Sequence, residues 1–228
     1  MFTGIIKGTF PVVAVENKPG LKSFVVDLSY KTPPFPSLAC RQAGGDQGGL
    51  PSYAESLNSG ASIAINGVCL TVVSIDGNQV HFDAMEETLR LTTIGEIQMG
   101  DLVNVERSAR TGDEIGGHLM SGHVSTMGEI VAIDESENNK SMTFKVDPIW
   151  MRFLFSKGFV GLDGASLTIV NAKKEEGTFQ VWFIPETLKL TRFGDKQVGD
   201  RVNMEIDSQT QTIVETVERY LSEHKNYV

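Results

Sequence analysis

A seven-residue pattern occurs twice in this chain and constrains its fold more than any other feature. Residues 66–72 read Asn-Gly-Val-Cys-Leu-Thr-Val, and residues 163–169 read Asp-Gly-Ala-Ser-Leu-Thr-Ile. Asn-Gly or Asp-Gly between alternating apolar and polar residues favours a two-residue β-hairpin turn, because both central residues of a type I′ turn need positive φ. The sequence therefore predicts two equivalent hairpins, one in each half of the chain.

The side chains of each predicted hairpin divide into two faces, since neighbours along a strand point to opposite sides of the sheet. One face is apolar and is expected to pack in a core; in the first copy it comprises Ile63, Ile65, Val68, Leu70 and Val72. The other is small and weakly polar, and we call it the first hairpin face: Ser62, Ala64, Cys69 and Thr71. Its counterpart, the second hairpin face, comprises Phe159, Gly161, Ser166 and Thr168. Such faces offer room and hydrogen-bonding groups for a flat ligand.

The two halves also match outside the hairpins. Residues 22–28 and 140–146 predict corresponding strands, a Glu-Thr-Leu triplet follows each hairpin, and residues 103–106 and 202–205 predict the last strand of each half. About six short strands per half, with turn signals at short intervals, favour a closed β-barrel, which has no free strand edges. The predicted fold class is therefore all-β, with two tandem six-stranded β-barrels related by the internal repeat. We place the barrels at residues 1–112 and 113–207.

Two segments fall outside the repeat. The first half contains an insertion within residues 30–59, whose Pro and Gly content predicts a surface loop that is dispensable for function. In residues 208–228, apolar residues at helical spacing predict a C-terminal α-helix with Ser208 as its N-cap. Its single apolar stripe fits packing on its own barrel and pairing with further copies of the chain equally well.

Composition limits the partners. The chain has 228 residues, 40% of them hydrophobic, and a formal net charge of −9, which disfavours nucleic acid and anionic membranes as partners. We find neither a signal-peptide pattern at Met1 nor an apolar run of membrane-spanning length, so we expect a cytoplasmic protein. The two cysteines are too few for a disulfide framework and are expected to be thiols.

Four pairs of equivalent positions carry unlike residues: Cys69 and Ser166, Ile5 and His123, Ser62 and Phe159, and Ser108 and Asp207. Each has a plain structural explanation as well; Cys69 alone fits an inert buried thiol, and Asp207 could simply support the start of the final helix. His118 and His123 are not spaced to lie on one helix face, so no metal site is predicted. Taken together, similar pockets with unlike residues suggest two similar ligands that are treated differently.

Five motifs resemble the riboflavin synthase α-chain family: residues 1–5, 66–72, 116–123, 163–168 and 184–188. The resemblance covers nearly the whole chain in the right order, with the insertion as the departure. It implies two Greek-key barrels, a C-terminal helix that forms a homotrimer, and no metal or organic cofactor. It also implies dismutation of two 6,7-dimethyl-8-ribityllumazine molecules, in which one gives a four-carbon unit to the other to form riboflavin and 5-amino-6-(ribitylamino)uracil. Lumazine synthase is a further partner that the resemblance suggests.

The resemblance assigns residues position by position. Its catalytic candidates are Ser62, Cys69, His123, Thr168 and Asp207. A thiol or hydroxyl suits nucleophilic or hydrogen-bonding roles on one substrate ring, and an imidazole suits proton transfer. Its substrate-binding candidates are Gly4, Ile5, Ile6, Cys69, Leu70, Thr71, Asp83, Ala84, Met85, Glu86, Glu87, Thr88, Gly122, His123, Val124, Lys157, Ser166, Leu167, Thr168, Phe183, Ile184, Pro185, Glu186, Thr187 and Leu188.

The alternative function within the same fold is that of a non-catalytic lumazine- or flavin-binding antenna protein. Such proteins look degraded in one half. Here both hairpins and both Glu-Thr-Leu stretches are intact. The sequence therefore favours the enzyme.

Overall fold

Both hairpins form with the predicted register in a computed structural model that describes residues 1–29, 52–136 and 139–224. The outermost predicted pairs, Ser62 with Thr71 and Phe159 with Thr168, are both present. All four turn residues have positive φ, between +42° and +84°. The turn chemistry that the Asn-Gly and Asp-Gly pairs predict is thus confirmed.

Each half closes into a six-stranded antiparallel barrel, which confirms the predicted fold class. The first barrel consists of β1 (Gly8–Lys18), β2 (Leu21–Asp27), β3 (Ser62–Ile65), β4 (Val68–Asp76), β5 (Gln79–Met85) and β6 (Leu102–Arg107). The second consists of β7 (Thr126–Ser136), β8 (Asn139–Lys145), β9 (Phe159–Leu162), β10 (Ala165–Lys173), β11 (Thr178–Phe183) and β12 (Arg201–Ile206). The order around the first barrel is β1-β2-β5-β4-β3-β6, and the equivalent strands of the second follow the same circular order.

Short helices connect the strands. Helices α1 (Glu86–Leu91) and α2 (Pro185–Leu190) follow the fifth strand of each barrel. Turns of 3₁₀ helix occur at Thr93–Glu96, Pro148–Phe153, Lys174–Glu176 and Arg192–Gly194.

The C-terminal helix, α3 (Ser208–Glu223), begins one residue earlier than the predicted cap implies. Asp207, rather than Ser208, is the N-cap. The backbone of Asp207 is not helical, so its carboxylate can turn back and accept from the N–H groups of Gln209 and Thr210. Ser208 is already the first helical residue.

Each barrel core is contacted by a residue from the segment that precedes the other barrel. Ile6, which precedes β1, is buried in the core of the second barrel. Val124, at the equivalent position before β7, packs against the core of the first barrel. The segments that precede the two barrels therefore cross over, and each lies against the opposite half.

The two hairpin turns meet where the barrels touch. A Cβ atom on Gly67 would lie 2.5 Å from a backbone nitrogen of the opposite turn, so the contact leaves no space for a side chain. Two buried amides from equivalent positions cross this contact. Asn104 Nδ2 donates to the Asp163 carbonyl at 2.9 Å, and Asn203 Nδ2 donates to the Asn66 carbonyl at 2.8 Å. The repeat thus supplies a two-fold related interface that sets the relative position of the barrels.

Most of the predicted loop, residues 30–51, lies outside the described residues. The part that follows packs on the first barrel: the Tyr53 ring stacks on Phe10 with 5.5 Å between centroids, and Ala54 is buried. The backbone N–H of Arg107 donates to the Tyr53 hydroxyl at 3.1 Å. A deletion that reaches these residues would therefore remove core contacts, and dispensability stays a prediction for the preceding residues alone.

We expect Tyr53→Ala to lower the free energy of unfolding by about 3 kcal/mol, because it removes a packed ring and leaves the Arg107 N–H without its acceptor. Tyr53→Phe keeps the ring and loses only the hydroxyl, so it should cost about 1 kcal/mol. Urea denaturation measures both values. Equal costs for the two variants would show that the ring contributes nothing.

Candidate functional site

The inner end of each hairpin face is covered by the protein itself. Phe2 and Met120 pair with each other through two backbone hydrogen bonds of 2.8 and 3.0 Å, and both side chains are buried. Together with Ala64 they form a small apolar cluster against which Cys69 packs. The space predicted for a flat ligand is therefore narrowed toward the outer end of each face, where the two threonines are exposed and where Cys69 and Ser166 are half-buried.

The first site combines the first hairpin face with a segment of the second half. The Cys69 N–H donates to the Gly122 carbonyl at 2.8 Å, and a Cβ atom on Gly122 would lie 2.6 Å from the Cys69 Cβ. Gly122 also has a φ of +80°, so glycine is required here on both counts. His123 follows Gly122 directly and is exposed, so a histidine of the second half lies next in sequence to the residue that contacts Cys69.

The second site has the reciprocal arrangement. The Ser166 N–H donates to the Gly4 carbonyl at 2.9 Å, and Ile5 follows Gly4 along the chain. Ser166 has a further contact, since its Oγ lies 2.6 Å from Nδ1 of His118. The His118 ring also stacks on Phe159, with 5.2 Å between centroids. The second site therefore contains a hydroxyl–imidazole pair next to a stacked aromatic ring.

The hydrogen bonds of His118 fit an imidazole that is protonated at Nε2. Its backbone N–H donates to Ser166 Oγ at 3.1 Å, and the serine hydroxyl can in turn donate its proton to Nδ1. We assign the ring proton to Nε2 on this basis. Nε2 is buried and has no hydrogen-bond partner among the described residues. Burial lowers the pKa of His118, and the Asp207 carboxylate partly offsets that effect. The imidazole is thus neutral at neutral pH and has one unused donor.

Asp207 joins the second site to helix α3. Its Oδ2 accepts from the Thr210 N–H at 2.9 Å and from the Thr210 hydroxyl at 2.7 Å. Burial acts to raise the pKa of Asp207, but the hydrogen bonds from Thr210 and Gln209 and the charge interaction with His118 together hold it below its ordinary value. The ionised carboxylate caps the helix and also gives the second site a negative charge, which Ser108 does not give the first.

The structure separates the five predicted catalytic residues into two groups. Ser62, Cys69 and His123 lie at the first site, and Thr168 and Asp207 lie at the second. The second site also contains residues that the sequence analysis did not rank as catalytic: His118, Phe159 and Ser166. The sequence analysis considered His118 only as a metal ligand. Its contact with Ser166 joins positions 48 residues apart, and no local sequence pattern indicates such a contact. The histidine-containing motif at residues 116–123 was the available signal.

The predicted binding residues differ in burial. Five have side chains in the barrel cores, so only their backbone atoms could contact a ligand: Ile6, Leu70, Ala84, Leu167 and Phe183. Others are exposed: Asp83, Met85, Glu86, Glu87, Lys157, Ile184 and Pro185. A third group is half-buried: Thr88, Val124, Glu186, Thr187 and Leu188. Within this group, Glu186 Oε1 is buried without a hydrogen-bond partner among the described residues, so it has an unused acceptor.

Metal ligands are not clustered in the described part of the chain. Within residues 1–29, 52–136 and 139–224, no group of three or more His, Cys, Asp and Glu side chains is placed to hold a metal ion. Cys69 is a free thiol. No helix in the same ranges is long and apolar enough to cross a membrane.

Comparison with known proteins identifies the repeat. The family model described as "Lumazine binding domain" matches twice, at residues 3–108 and 121–207. Riboflavin synthase of Escherichia coli (strain K12) is 46% identical, and the match covers 99% of this chain and 96% of that protein. Riboflavin synthase of Buchnera aphidicola subsp. Schizaphis graminum (strain Sg) is 40% identical, with 97% of this chain and 96% of that protein covered. The chain belongs to the riboflavin synthase family. The resemblance inferred from the five sequence motifs is therefore confirmed.

Solved structures share the fold of this family member. LumP complexed with riboflavin matches with a TM-score of 0.74 at 22% identity, covering 91% of this chain and 100% of LumP. LumP complexed with 6,7-dimethyl-8-(1'-D-ribityl) lumazine matches with a TM-score of 0.71 at 22% identity, covering 90% of this chain and 98% of LumP. At this level of identity the likeness establishes the two-barrel fold alone.

We expect Gly122→Ala to cost about 2 kcal/mol more in unfolding free energy than Gly100→Ala. Both glycines have positive φ, +80° and +97°, so both variants strain the backbone. Only at Gly122 would the new methyl group also clash, since nothing lies within 4 Å of a Cβ atom at Gly100. Urea denaturation of both variants tests the difference, and equal costs would contradict the close approach of Gly122 to Cys69.

Proposed function

We propose that this protein catalyses the dismutation of two 6,7-dimethyl-8-ribityllumazine molecules to riboflavin and 5-amino-6-(ribitylamino)uracil. The observation that carries the proposal is the presence of two complete hairpin sites with unlike residues in a chain 46% identical to the E. coli riboflavin synthase. The reaction needs two copies of one molecule to be activated in opposite ways. Two equivalent sites with different side chains suit that need. The atoms of two lumazines equal those of the two products, so no outside oxidant or reductant is required.

The first site suits the activation of one lumazine as an electrophile. The Cys69 thiol and the Ser62 hydroxyl are candidates for adding to a ring carbon or for donating a hydrogen bond to the ring. His123 supplies an imidazole at the same face, and imidazole is the side chain best suited to proton transfer near neutral pH. Its exposed position leaves it free to reach a ligand that lies on this face.

The second site suits a second planar ring. The stacked rings of His118 and Phe159 offer a flat surface, and Phe159 is 45% exposed, so it is available for further stacking. The hydroxyls of Ser166 and Thr168 are hydrogen-bonding groups for the ring. Because the His118 imidazole is neutral and its Nδ1 faces Ser166 Oγ, it can accept the serine proton when that hydroxyl acts on the substrate.

Much of the rate acceleration in this proposal comes from holding two large planar substrates face to face. Effective molarity in such arrangements is worth about 7 to 11 kcal/mol of the barrier. The two ligands would come from an N-terminal barrel and from the C-terminal barrel of a neighbouring subunit, which requires an oligomer. Division of the chain at residues 1–112, 113–207 and 208–228 is part of the same proposal.

The proposed oligomer is a homotrimer assembled through helix α3. The helix contacts its own barrel through Val214 and through an ion pair between Arg152 and Glu218 at 3.0 Å. Its other apolar residues stay exposed, at 50–64% of their surface: Ile213, Val217, Tyr220 and Leu221. These four lie on one stripe at helical spacing, and an exposed apolar stripe favours pairing with other copies.

Two further points complete the proposal. We place the protein in the cytoplasm, because its relatives are riboflavin synthases, which are biosynthetic enzymes. We also include association with lumazine synthase, since an enzyme of that name would supply the lumazine that this reaction consumes. Co-migration of the two purified proteins in size-exclusion chromatography tests the association.

We expect purified protein given 6,7-dimethyl-8-ribityllumazine alone to produce riboflavin, measured by its fluorescence. Cys69→Ala and His123→Ala should each lower turnover by about 10² to 10⁴, the range for groups that act in acid–base steps, while thermal melts stay close to those of the parent. If Cys69 is only a packed thiol, its variant will instead lose stability with near-normal turnover per folded molecule. Tight lumazine binding without riboflavin would identify an antenna protein.

We expect truncation after Asp207 to convert the trimer into smaller species, measured as mass by light scattering. Val217→Glu should have the same effect, because it would bury a charge in the proposed interface. Arg219→Glu is the matched control, since residues two apart on a helix do not share a face. A truncated protein that remains trimeric would refute the role of α3.

A further inference from the structure

Two buried carboxylates accept hydrogen bonds from the segments that precede the two barrels and cross to the opposite half. Glu205 in β12 is 5% exposed: its Oε1 accepts from the Ser121 N–H at 2.6 Å and the Ser121 hydroxyl at 2.8 Å, and its Oε2 accepts from the Gly122 N–H at 3.0 Å. Glu106 in β6 is 3% exposed and accepts in the same way from Thr3 and Gly4. Each carboxylate is bound to a dipeptide of its own half.

The carbonyl of each dipeptide points the other way, into the opposite half. The Gly122 carbonyl accepts from Cys69 at 2.8 Å, and the Gly4 carbonyl accepts from Ser166 at 2.9 Å. The carboxylate of the second barrel is therefore linked through one residue to the first site, and the carboxylate of the first barrel to the second site. Each carboxylate therefore not only accepts from buried N–H groups but also holds in place a residue that contacts the opposite site.

Glu205 has an additional link to His123. The Ser121 hydroxyl donates its proton to Glu205, and the same oxygen accepts from the His123 N–H at 3.1 Å. The contacts from Glu205 through the Ser121 hydroxyl hold the backbone of His123 in place. The contact from Glu205 to Gly122 holds the segment that contains His123 against Cys69. Burial raises the pKa of both carboxyl groups, and the donated hydrogen bonds oppose that shift by favouring the ionised form.

We propose that Glu205 is the positioning residue of the first site and Glu106 that of the second, so that each site depends on a carboxylate from the opposite barrel. The inference rests on the proposed function, because it gives Glu205 the task of holding His123 where a lumazine on the first hairpin face can reach it. Neither glutamate touches the substrate. Glutamine has nearly the same shape but replaces one acceptor oxygen with an NH₂ donor, which would face an N–H group of the segment.

A double-mutant cycle tests the proposal with a readout that a purely structural role would not move. Glu205→Gln should lower single-turnover riboflavin formation by about 10²-fold in the parent and less than about 3-fold in a His123→Ala background, because its effect passes through that imidazole. Glu106→Gln is the matched control, and its cost should be the same in both backgrounds. Additive effects for Glu205→Gln, or a Glu106→Gln cost that also vanishes without His123, would overturn the assignment.

A second measurement needs neither substrate nor turnover. In a Cys40→Ser background Cys69 is the only thiol, since the sequence has two cysteines. Because a neighbouring imidazole increases thiol reactivity, displacing His123 by Glu205→Gln should lower the rate of Cys69 alkylation by iodoacetamide by at least about 10-fold, while Glu106→Gln leaves it within about 2-fold. Equal alkylation rates in the two variants would refute the dependence of the first site on Glu205, even in a protein that forms no riboflavin. The absence of riboflavin formation by the parent protein would count against the proposed function alone.

Ser121→Ala covers the case in which Glu205→Gln does not fold. It removes only the hydroxyl between Glu205 and the His123 N–H, and Thr3→Ala is its counterpart in the first half. The double-mutant cycle with His123→Ala should again be non-additive for Ser121→Ala and additive for Thr3→Ala. Additivity for both would overturn the proposal.

Discussion

The backbone hydrogen bonds that Cys69 and Ser166 donate across to the opposite half are the contacts on which both sites depend. Each brings the segment before one barrel onto the hairpin face of the other. Without that crossing, the first hairpin face would have the residues of β3 and β4 and no imidazole, because His123 belongs to the second half of the chain. Two glycines make the crossing sterically possible, since a Cβ atom at Gly4 or Gly122 would lie 2.5 or 2.6 Å from a side-chain carbon of the opposite strand.

A shared backbone frame allows the two sites to differ chemically without a change in fold. The register of both hairpins is the same, and so is the interface made by Asn104 and Asn203. Within that frame, Ser62 is replaced by Phe159, and Cys69 by Ser166. Residues that bond the frame together are thus kept nearly constant, whereas several residues on the hairpin faces diverge. A dismutation between two identical molecules requires this kind of difference.

The sequence predicted the parts of the fold that local chemistry determines. Asn-Gly and Asp-Gly set both turns, and the period-two alternation set the register, so the faces were assigned residue by residue. The crossing was not predictable in this way, because a repeated segment would make similar local contacts with its own hairpin or with the opposite one. Only packing between the halves, seen in the placement of Ile6 and Val124, distinguishes the two. The pairing of His118 with Ser166 was missed for the same reason.

Asp207 shows why structural and catalytic roles need not exclude each other. Its carboxylate caps α3 through Gln209 and Thr210, which is the modest role that its position before the helix suggested. The same hydrogen bonds keep it ionised, and His118 experiences that charge. A carboxylate free to rotate would be better hydrated and would interact less with the imidazole. Fixing Asp207 at the helix end therefore both stabilises the helix that is proposed to join subunits and holds a charge at the second site.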